Sequence, residues 1–391
     1  MAKAQVRYYP VGDGSMTLIK LNDMRHTTIL VDLCVSSAAD DKDEKDVYDA
    51  AADLRKHLEK DEKGRCHLNL LIHSHGDDDH VHGLQNHFWL GDPRDYTTKE
   101  GELKKIIIDE IWSSTRYRKY DTQNFKLGED AKALSKEIRR RVDKLGSGLG
   151  DLVHILGDDM LDDDSEIVPE SIRYRLGTTV DSVAAKRMDI FTATVLGPLG
   201  KEEGENDESY NDKNRGSLIV RVDCTVKDLW GQKHIISLLF GDDTEVRSWE
   251  RLYEAGQRAQ LSYDILLAPH HCSWHSLSHD SSEDEDAEVS KNAKKALNNK
   301  KLGAYIILSC LSDADEGDES KKRGRAKARP VYEEIVGASK VICTGEYKSE
   351  DKPVPIVFSL TSHGVSLEHT PPKNILSIAS TSTIGEPLPH G

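Results

Sequence analysis

The chain has 391 residues with 37% hydrophobic and 31% charged positions and a formal net charge of −16. That length suits one large domain or two ordinary ones, with a sizeable core expected from the recurring Leu, Ile and Val clusters, and an acidic surface repels polyanions unless basic groups compensate locally. No apolar run of eighteen residues is present, so no helical membrane span is expected, and the opening MAKAQVRYYP lacks the apolar core of a signal peptide.

The opening reads as two strands and a helix. QVRYYPVGDGSMTLIKL is β-rich and broken by Gly12 and Gly14, and HTTILVDLC is an apolar strand ending at Asp32. DEKDVYDAAADLRKHLEK has helical spacing, with Val47, Ala51, Leu54 and Leu58 on one face. HLNLLIHSH is a strand that runs into a dense set of acids and imidazoles. KKIIIDEIW is a buried strand, and residues 115–190 are charged and mostly helical in pattern. Residues 92–190 are therefore expected to form a mainly helical insertion or lid.

DIFTATVLGP restarts the β pattern, residues 203–216 form a polar loop, and SLIVRVDCTV with HIISLLFGDD makes a hairpin. EVRSWERLYEAG is a helix, YDILLAPHHCS a strand ending in a second histidine pair, and residues 279–300 a loop running into a helix. AYIILSC, SKVICTG and PIVFSLTSHGVSLEH are late strands, and residues 372–391, rich in Ser, Thr and Pro, are a frayed tail. The six cysteines (Cys34, Cys66, Cys224, Cys272, Cys310 and Cys343) form no CxxC pair and read as reduced, buried thiols of a cytoplasmic protein. The expected class is α/β. Two halves packed sheet to sheet, with helices outside, give a single four-layer αββα sandwich.

LIHSHGDDDHVHGL, residues 71–84, places four histidines and three aspartates in fourteen positions. A strand end can turn several side chains toward one point. Imidazole suits Zn²⁺, Fe or Mn²⁺, and carboxylate adds charge and hardness. One register takes His73, His75, Asp77 and Asp78. The preferred one takes His75, Asp77, Asp79 and His80, followed by Gly83 where the chain can turn into a helix. His73 is then a strand residue and His82 a surface or supporting residue.

This pattern resembles the metallo-β-lactamase superfamily motif H-x-H-x-D-H, and other segments are similar to the ComEC-type competence proteins. VGDGSMTLIK resembles their VGQGDA strand, TTILVDLC their ILIDGG, NRGSLIVRVD their NNNSLVLRL, LLFGDD their LLTGD and LLAPHHCSWHS their VPHHGS. The motifs occur in order from residue 8 to about 276, and residues 92–190 have no counterpart. There are departures. Asp77 stands where most members have a second His, Cys272 where they have Gly, and Leu33–Cys34 where they have two glycines. The Asp77 change favours a harder ion such as Mn²⁺, or a mixed site, over Zn²⁺ alone.

The resemblance implies two divalent metal ions, Zn or Mn. His75 and Asp77 bind one, and Asp79, His80 and His271 the other, with His270 as the alternative to His271. Asp242 bridges the two, with Asp243 as its alternative. His154 and His234 are weak candidates for an additional ligand. Such a pair of ions, about 3.5–4 Å apart, activates water and clamps a phosphate, and Asp79 is the expected catalytic residue. The implied activity is a metal-dependent hydrolase using a metal-bound hydroxide on phosphodiester bonds, a nuclease that serves as effector of a bacterial antiphage system under an ATPase or sensor partner.

Ser273, Trp274 and His275 sit just past the histidine pair and can line a substrate cleft. KKRGRAKAR, residues 321–329, has six basic residues in nine. Its Lys321, Lys322, Arg323 and Arg325 can grip phosphates by charge, although such a run also suits a solvated loop. Acidic stretches at 158–165 and 280–287 are candidate docking faces. Two other classes stay open: a small-ester or amide hydrolase of the same fold, and a catalytically degenerate binding or regulatory module.

Overall fold

The structure, a computed structural model, describes residues 3–36, 38, 47–99, 102–117, 127–145, 148–158, 168–205 and 214–368. The expected tail and nearly all of the acidic stretch 158–165 lie outside these residues. It is a mixed α/β fold with two large sheets. The first follows the order Gly364–Leu367, Ile356–Thr361, Ala4–Tyr8, Thr17–Lys20, Thr28–Val31, Cys66–His73, Ile106–Ser114, Leu152–Leu156 and Arg173–Tyr174. The second follows Thr179–Val180, Phe191–Gly197, Ile219–Lys227, Lys233–Phe240, Tyr263–Leu267, Lys300–Leu308 and Val341–Cys343.

Side-chain alternation divides the apolar residues among three cores. Leu238, Phe240, Ile265, Leu267 and Ile307 of the second sheet share one core with Val6, Ile29, Leu70, Ile72 and Trp112 of the first. Their neighbours Leu239, Leu266 and Ile306 turn the other way, onto Trp249 and Leu252 of helix Val246–Glu254, Leu297 of Lys291–Leu297, and Tyr332 and Ile335 of Glu319–Val336. On the first sheet, Leu18, Leu30, Leu71 and Ile108 pack with Leu54 of helix Ala50–His57 and with Leu134 and Ile138 of helix Glu129–Asp143.

The described residues of 92–190 do not form a helical lid. Ile106–Ser114 pairs in parallel with Cys66–His73, and Leu152–Leu156 pairs beyond it. All nine residues of Ile106–Ser114 are buried. Helix Glu129–Asp143 packs on the outer face of this sheet and is pinned there by Asp130, which accepts hydrogen bonds from the backbone N–H of Gly83 (2.7 Å) and Gln85 (3.0 Å). A strand buried on both faces shows no polar alternation, so its place inside the first sheet was not visible in its pattern.

The parallel strands fix where a site can form. Thr28–Val31, Cys66–His73 and Ile106–Ser114 run parallel in one sheet, as do Lys233–Phe240, Tyr263–Leu267 and Lys300–Leu308 in the other. Residues just past the carboxyl ends of strands in open α/β sheets line the usual ligand crevice. Here those residues are Asp32, Ser74–His75, Asp242–Asp243, His270–His271 and Ser309. No described helix is long and apolar enough to cross a membrane.

Candidate metal centre

Three histidines reach the crevice with one ring nitrogen already engaged. His80 Nδ1 lies 2.7 Å from Asp32 Oδ2, His271 Nδ1 lies 2.9 Å from the Ser309 carbonyl oxygen, and His75 Nδ1 lies 3.0 Å from Ser74 Oγ. Ser74 Oγ in turn donates to Asp32 Oδ2 at 2.8 Å. A donating Nδ1–H leaves the Nε2 lone pair free to face a ligand, the arrangement that holds metal-binding histidines in place.

The three Nε2 atoms converge on Asp243. His80 Nε2 is 3.2 Å and His271 Nε2 3.3 Å from Asp243 Oδ1, and His75 Nε2 is 3.4 Å from Asp243 Oδ2. Asp79 Oδ2 stands 3.2 Å from His271 Nε2, and Asp77 Oδ2 3.7 Å from His75 Nε2. Two candidate ligand groups result, Asp79–His80–Asp243–His271 and His75–Asp77–Asp243, and they share Asp243.

His80 Nε2 and His271 Nε2 are only 3.2 Å apart, so two lone pairs oppose each other unless a proton or a metal ion lies between them. The buried atoms His75 Nε2 and Asp243 Oδ1 have no hydrogen-bond partner. Both face the converging imidazoles and carboxylates, where a shared cation would satisfy them. On these grounds the residues present fit divalent cations.

The electrostatics agree. Burial disfavours charge on His75, yet Asp243 and Asp77 push its pKa up to about 9. Burial likewise opposes charge on His271, but Asp243 and Asp79 push it up to about 10. His80 is raised well above the ordinary histidine value against its own burial, by Asp243 and Asp32. Asp243 is held well below the carboxylate range, despite burial, by His80, His271 and His75. The pocket therefore stabilises positive charge strongly, whether carried by protons or by metal ions.

The chain matches no protein-family model and no curated protein sequence.

Most of the expected ligands come together here, with one exchange. Asp243, not Asp242, occupies the shared position. Asp242 turns behind His80, with Oδ1 3.3 Å from His80 Nδ1, and groups with Asp32. Burial and the Asp32 charge push its pKa up to about 8. Adjacent residues at a strand end point to opposite sides, and a doublet in the sequence does not reveal which one faces the crevice. His270 and His271 are both present at the site. His270 Nε2 lies 3.7 Å from Asp243 Oδ2, beside the His75 group.

His73 is buried, with Nδ1 3.7 Å from Asp32 Oδ1, and His82 is exposed. His154 and His234 pair with Glu110 (3.1 Å) and Asp228 (3.2 Å), away from these groups. Asp32, Ser74 and Ser309 support the histidines without having been singled out from the sequence. The one signal for Asp32 is its position at the end of a strand.

The backbone is strained where ligands emerge. Asp32 (φ 53°), Asp242 (φ 42°), His270 (φ 51°), His271 (φ 52°) and Cys272 (φ 66°) are all left-handed, at about 1–2 kcal/mol each for a non-glycine residue. Cys272 holds a conformation that glycine adopts freely. Bonds between the two loops offset the strain: His270 N–H donates to the Asp242 carbonyl at 2.7 Å, and Ser276 Oγ donates to the Thr244 carbonyl at 3.0 Å. Strain held by its surroundings in this way is common at functional sites.

A cleft of about 390 Å³ opens over Asp77, Asp79, Asp243, His270 and His271. Ser273, Trp274, His275, Lys321 and Arg325 line it, as does Asp13, while Lys322 and Arg323 do not. The basic run is not a loop. It forms the first turns of helix Glu319–Val336, capped by Asp318. Arg325 is buried, its Nη2 atom 2.5 Å from Asp13 Oδ1 and 2.7 Å from Glu316 Oε2. Lys321 Nζ is 3.0 Å from Asp13 Oδ2, and Arg323 Nη2 is 2.8 Å from Glu283 Oε1. Much of the expected phosphate grip is thus engaged within the protein, and Lys321, although paired with Asp13, keeps an exposed side chain on the cleft wall.

Proposed function

We propose that this chain is a dinuclear metal-dependent hydrolase of phosphodiester bonds, acting on nucleic acid, with the four-layer αββα arrangement of the metallo-β-lactamase superfamily. The observation that carries the reading is the sharing of Asp243 between two ligand groups, one with three further ligands and one with two. The sheet–sheet core flanked by two helix–sheet cores supports the fold. Divalent cations at such a centre acidify water and neutralise charge developing on phosphoryl oxygens.

The protein's own groups divide the remaining work. His75, Asp77, Asp79, His80, Asp243 and His271 hold the ions. Asp79 is part-exposed to the cleft and kept ionised, against burial, by its hydrogen bond to His271. Its carboxylate can orient an incoming water by accepting a hydrogen bond from it. Lys321, which pairs with Asp13 across the cleft wall, would attract a phosphate by charge, and Ser273 and His275 line the wall where a leaving group would sit.

The modest cleft volume and the engagement of Arg325 by Asp13 and Glu316 favour a second reading, hydrolysis of a small ester or amide. One assay separates the two. The purified chain is incubated with single-stranded DNA, duplex DNA, RNA, bis(p-nitrophenyl) phosphate or p-nitrophenyl acetate, in Mn²⁺, Zn²⁺ or Mg²⁺. Phosphodiester cleavage that is abolished by chelator and by Asp79→Ala supports the first reading. Acetate cleavage alone supports the second, and no metal-dependent cleavage of any of these substrates contradicts both.

A further inference from the structure

A second reactive cluster lies on the far side of the His271 loop. Cys310 follows Ser309, whose carbonyl holds His271 Nδ1, and Cys343 ends the neighbouring parallel strand. Their sulfurs are 3.6 Å apart, van der Waals contact for two thiols and about 1.5 Å longer than a disulfide bond. Both are buried, yet with Cys272 they line a cavity of about 230 Å³ that Arg325 and Arg329 also line. Two thiols in contact and reached by a cavity are placed to react with each other and with a small oxidant, while Arg325 and Arg329 there are paired with Asp13, Glu316, Glu333 and Glu346.

We propose that Cys310 and Cys343 form a peroxide-sensitive dithiol, a reversible modification site coupled through Ser309 to the histidine centre. The contact with Cys310 holds the Cys343 thiol below its ordinary value despite burial, helped by the backbone N–H groups of Glu346 and Gly345. The same contact raises Cys310.

The Cys343 thiolate attacks one oxygen of hydrogen peroxide. The O–O bond breaks, leaving a sulfenic acid on Cys343 and releasing hydroxide. The Cys310 sulfur then attacks the Cys343 sulfur. The S–S bond forms, the S–O bond breaks, and the departing hydroxide takes a proton to become water. Two thiols and one peroxide yield one disulfide and two waters. Closing the sulfurs to bonding distance pulls on the Ser309–Cys310 backbone, and Ser309 sets the orientation of His271.

The test uses the full reduced chain, which has six thiols. After mild hydrogen peroxide treatment, thiol counting under denaturing conditions should fall from six to four, and peptide mapping should find Cys310 joined to Cys343, reversibly by dithiothreitol. Cys310→Ser and Cys343→Ser should each form no crosslink, and Cys272→Ser should still form it. An unchanged count, or a disulfide through Cys272, overturns the proposal.

The coupling is read as Zn²⁺ affinity, which should differ by at least about threefold between oxidised and reduced protein. Equal affinities overturn the coupling. This arm rests on the metal reading above. Absence of Zn²⁺ binding in both forms would sink that reading and the coupling with it, while the thiol map alone decides the dithiol.

Discussion

At the scale of single residues, the centre depends on which member of each neighbouring pair faces the crevice. Asp243 touches three histidines and Asp242 touches Asp32 and His80 Nδ1, so the two acids differ in position and role. Asp243→Asn should weaken Zn²⁺ binding by more than about 100-fold, because it removes a candidate ligand from both groups rather than a supporting bond. Asp242→Asn changes a side chain behind His80 that belongs to neither of the groups sharing Asp243, and should change affinity by less than about tenfold. Calorimetric titration of the two variants checks the pair of outcomes, and equal losses would contradict it. Acidity supplies a further test. The neighbouring carboxylates push His75 up to about 9 and His271 up to about 10, so protons compete with metal for the same Nε2 atoms. Metal binding must release these protons, so Zn²⁺ affinity should rise as pH increases from 6 to 9. A flat profile would mean that the imidazoles are not ligands.

At the scale of elements, the loop after Ala4–Tyr8 acts as a strut for the loop that carries Asp77, Asp79 and His80. Ser15 N–H donates to the Asp79 carbonyl at 3.1 Å. A Cβ on Gly14 would sit 2.5 Å from Cys34 Sγ and 2.8 Å from the Asp79 carbonyl oxygen. Gly14→Ala should therefore cost about 1–3 kcal/mol through overpacking and displace Asp79, lowering both the melting temperature and hydrolysis. An unchanged melting curve would contradict this close packing.

The same elements show how much the sequence could reveal. Strand-like runs ending in His and Asp were legible because apolar stretches stop abruptly at clusters of ligand-type side chains. The choice between Asp242 and Asp243 was not, since it depends on the left-handed turn at Asp242. The Ile106–Ser114 strand was recognised, but its neighbours in the sheet are set by long-range pairing that local pattern does not carry. The basic run 321–329 reads as solvated because of its charge, whereas the structure uses its Arg325 and Lys321 to tie a helix to Asp13.

At the scale of the whole molecule, the centre is assembled from both sheets, so its geometry depends on how they pack. His75, Asp77, Asp79 and His80 follow a strand of the first sheet, and Asp243 and His271 follow strands of the second. The chain closes on itself as well: Ile356–Thr361 pairs antiparallel with Ala4–Tyr8. Phe358 on that closing strand is fully buried between the sheets, in edge-on contact with Tyr8 and Tyr305. Phe358→Ala should cost about 3–5 kcal/mol, measured by denaturant unfolding, and should weaken metal binding although it touches no ligand. A stable variant with unaltered metal affinity would show that the two sheets hold their ligands independently.

The central claim is that one carboxylate, Asp243, joins two cation positions. The most direct measurement is anomalous X-ray diffraction from crystals of the chain soaked in Zn²⁺ or Mn²⁺. The account predicts two anomalous peaks, one on the Asp79–His80–His271 side of Asp243 and one on the His75–Asp77 side, both diminished in Asp243→Asn. A single peak, or none at these residues, would contradict it.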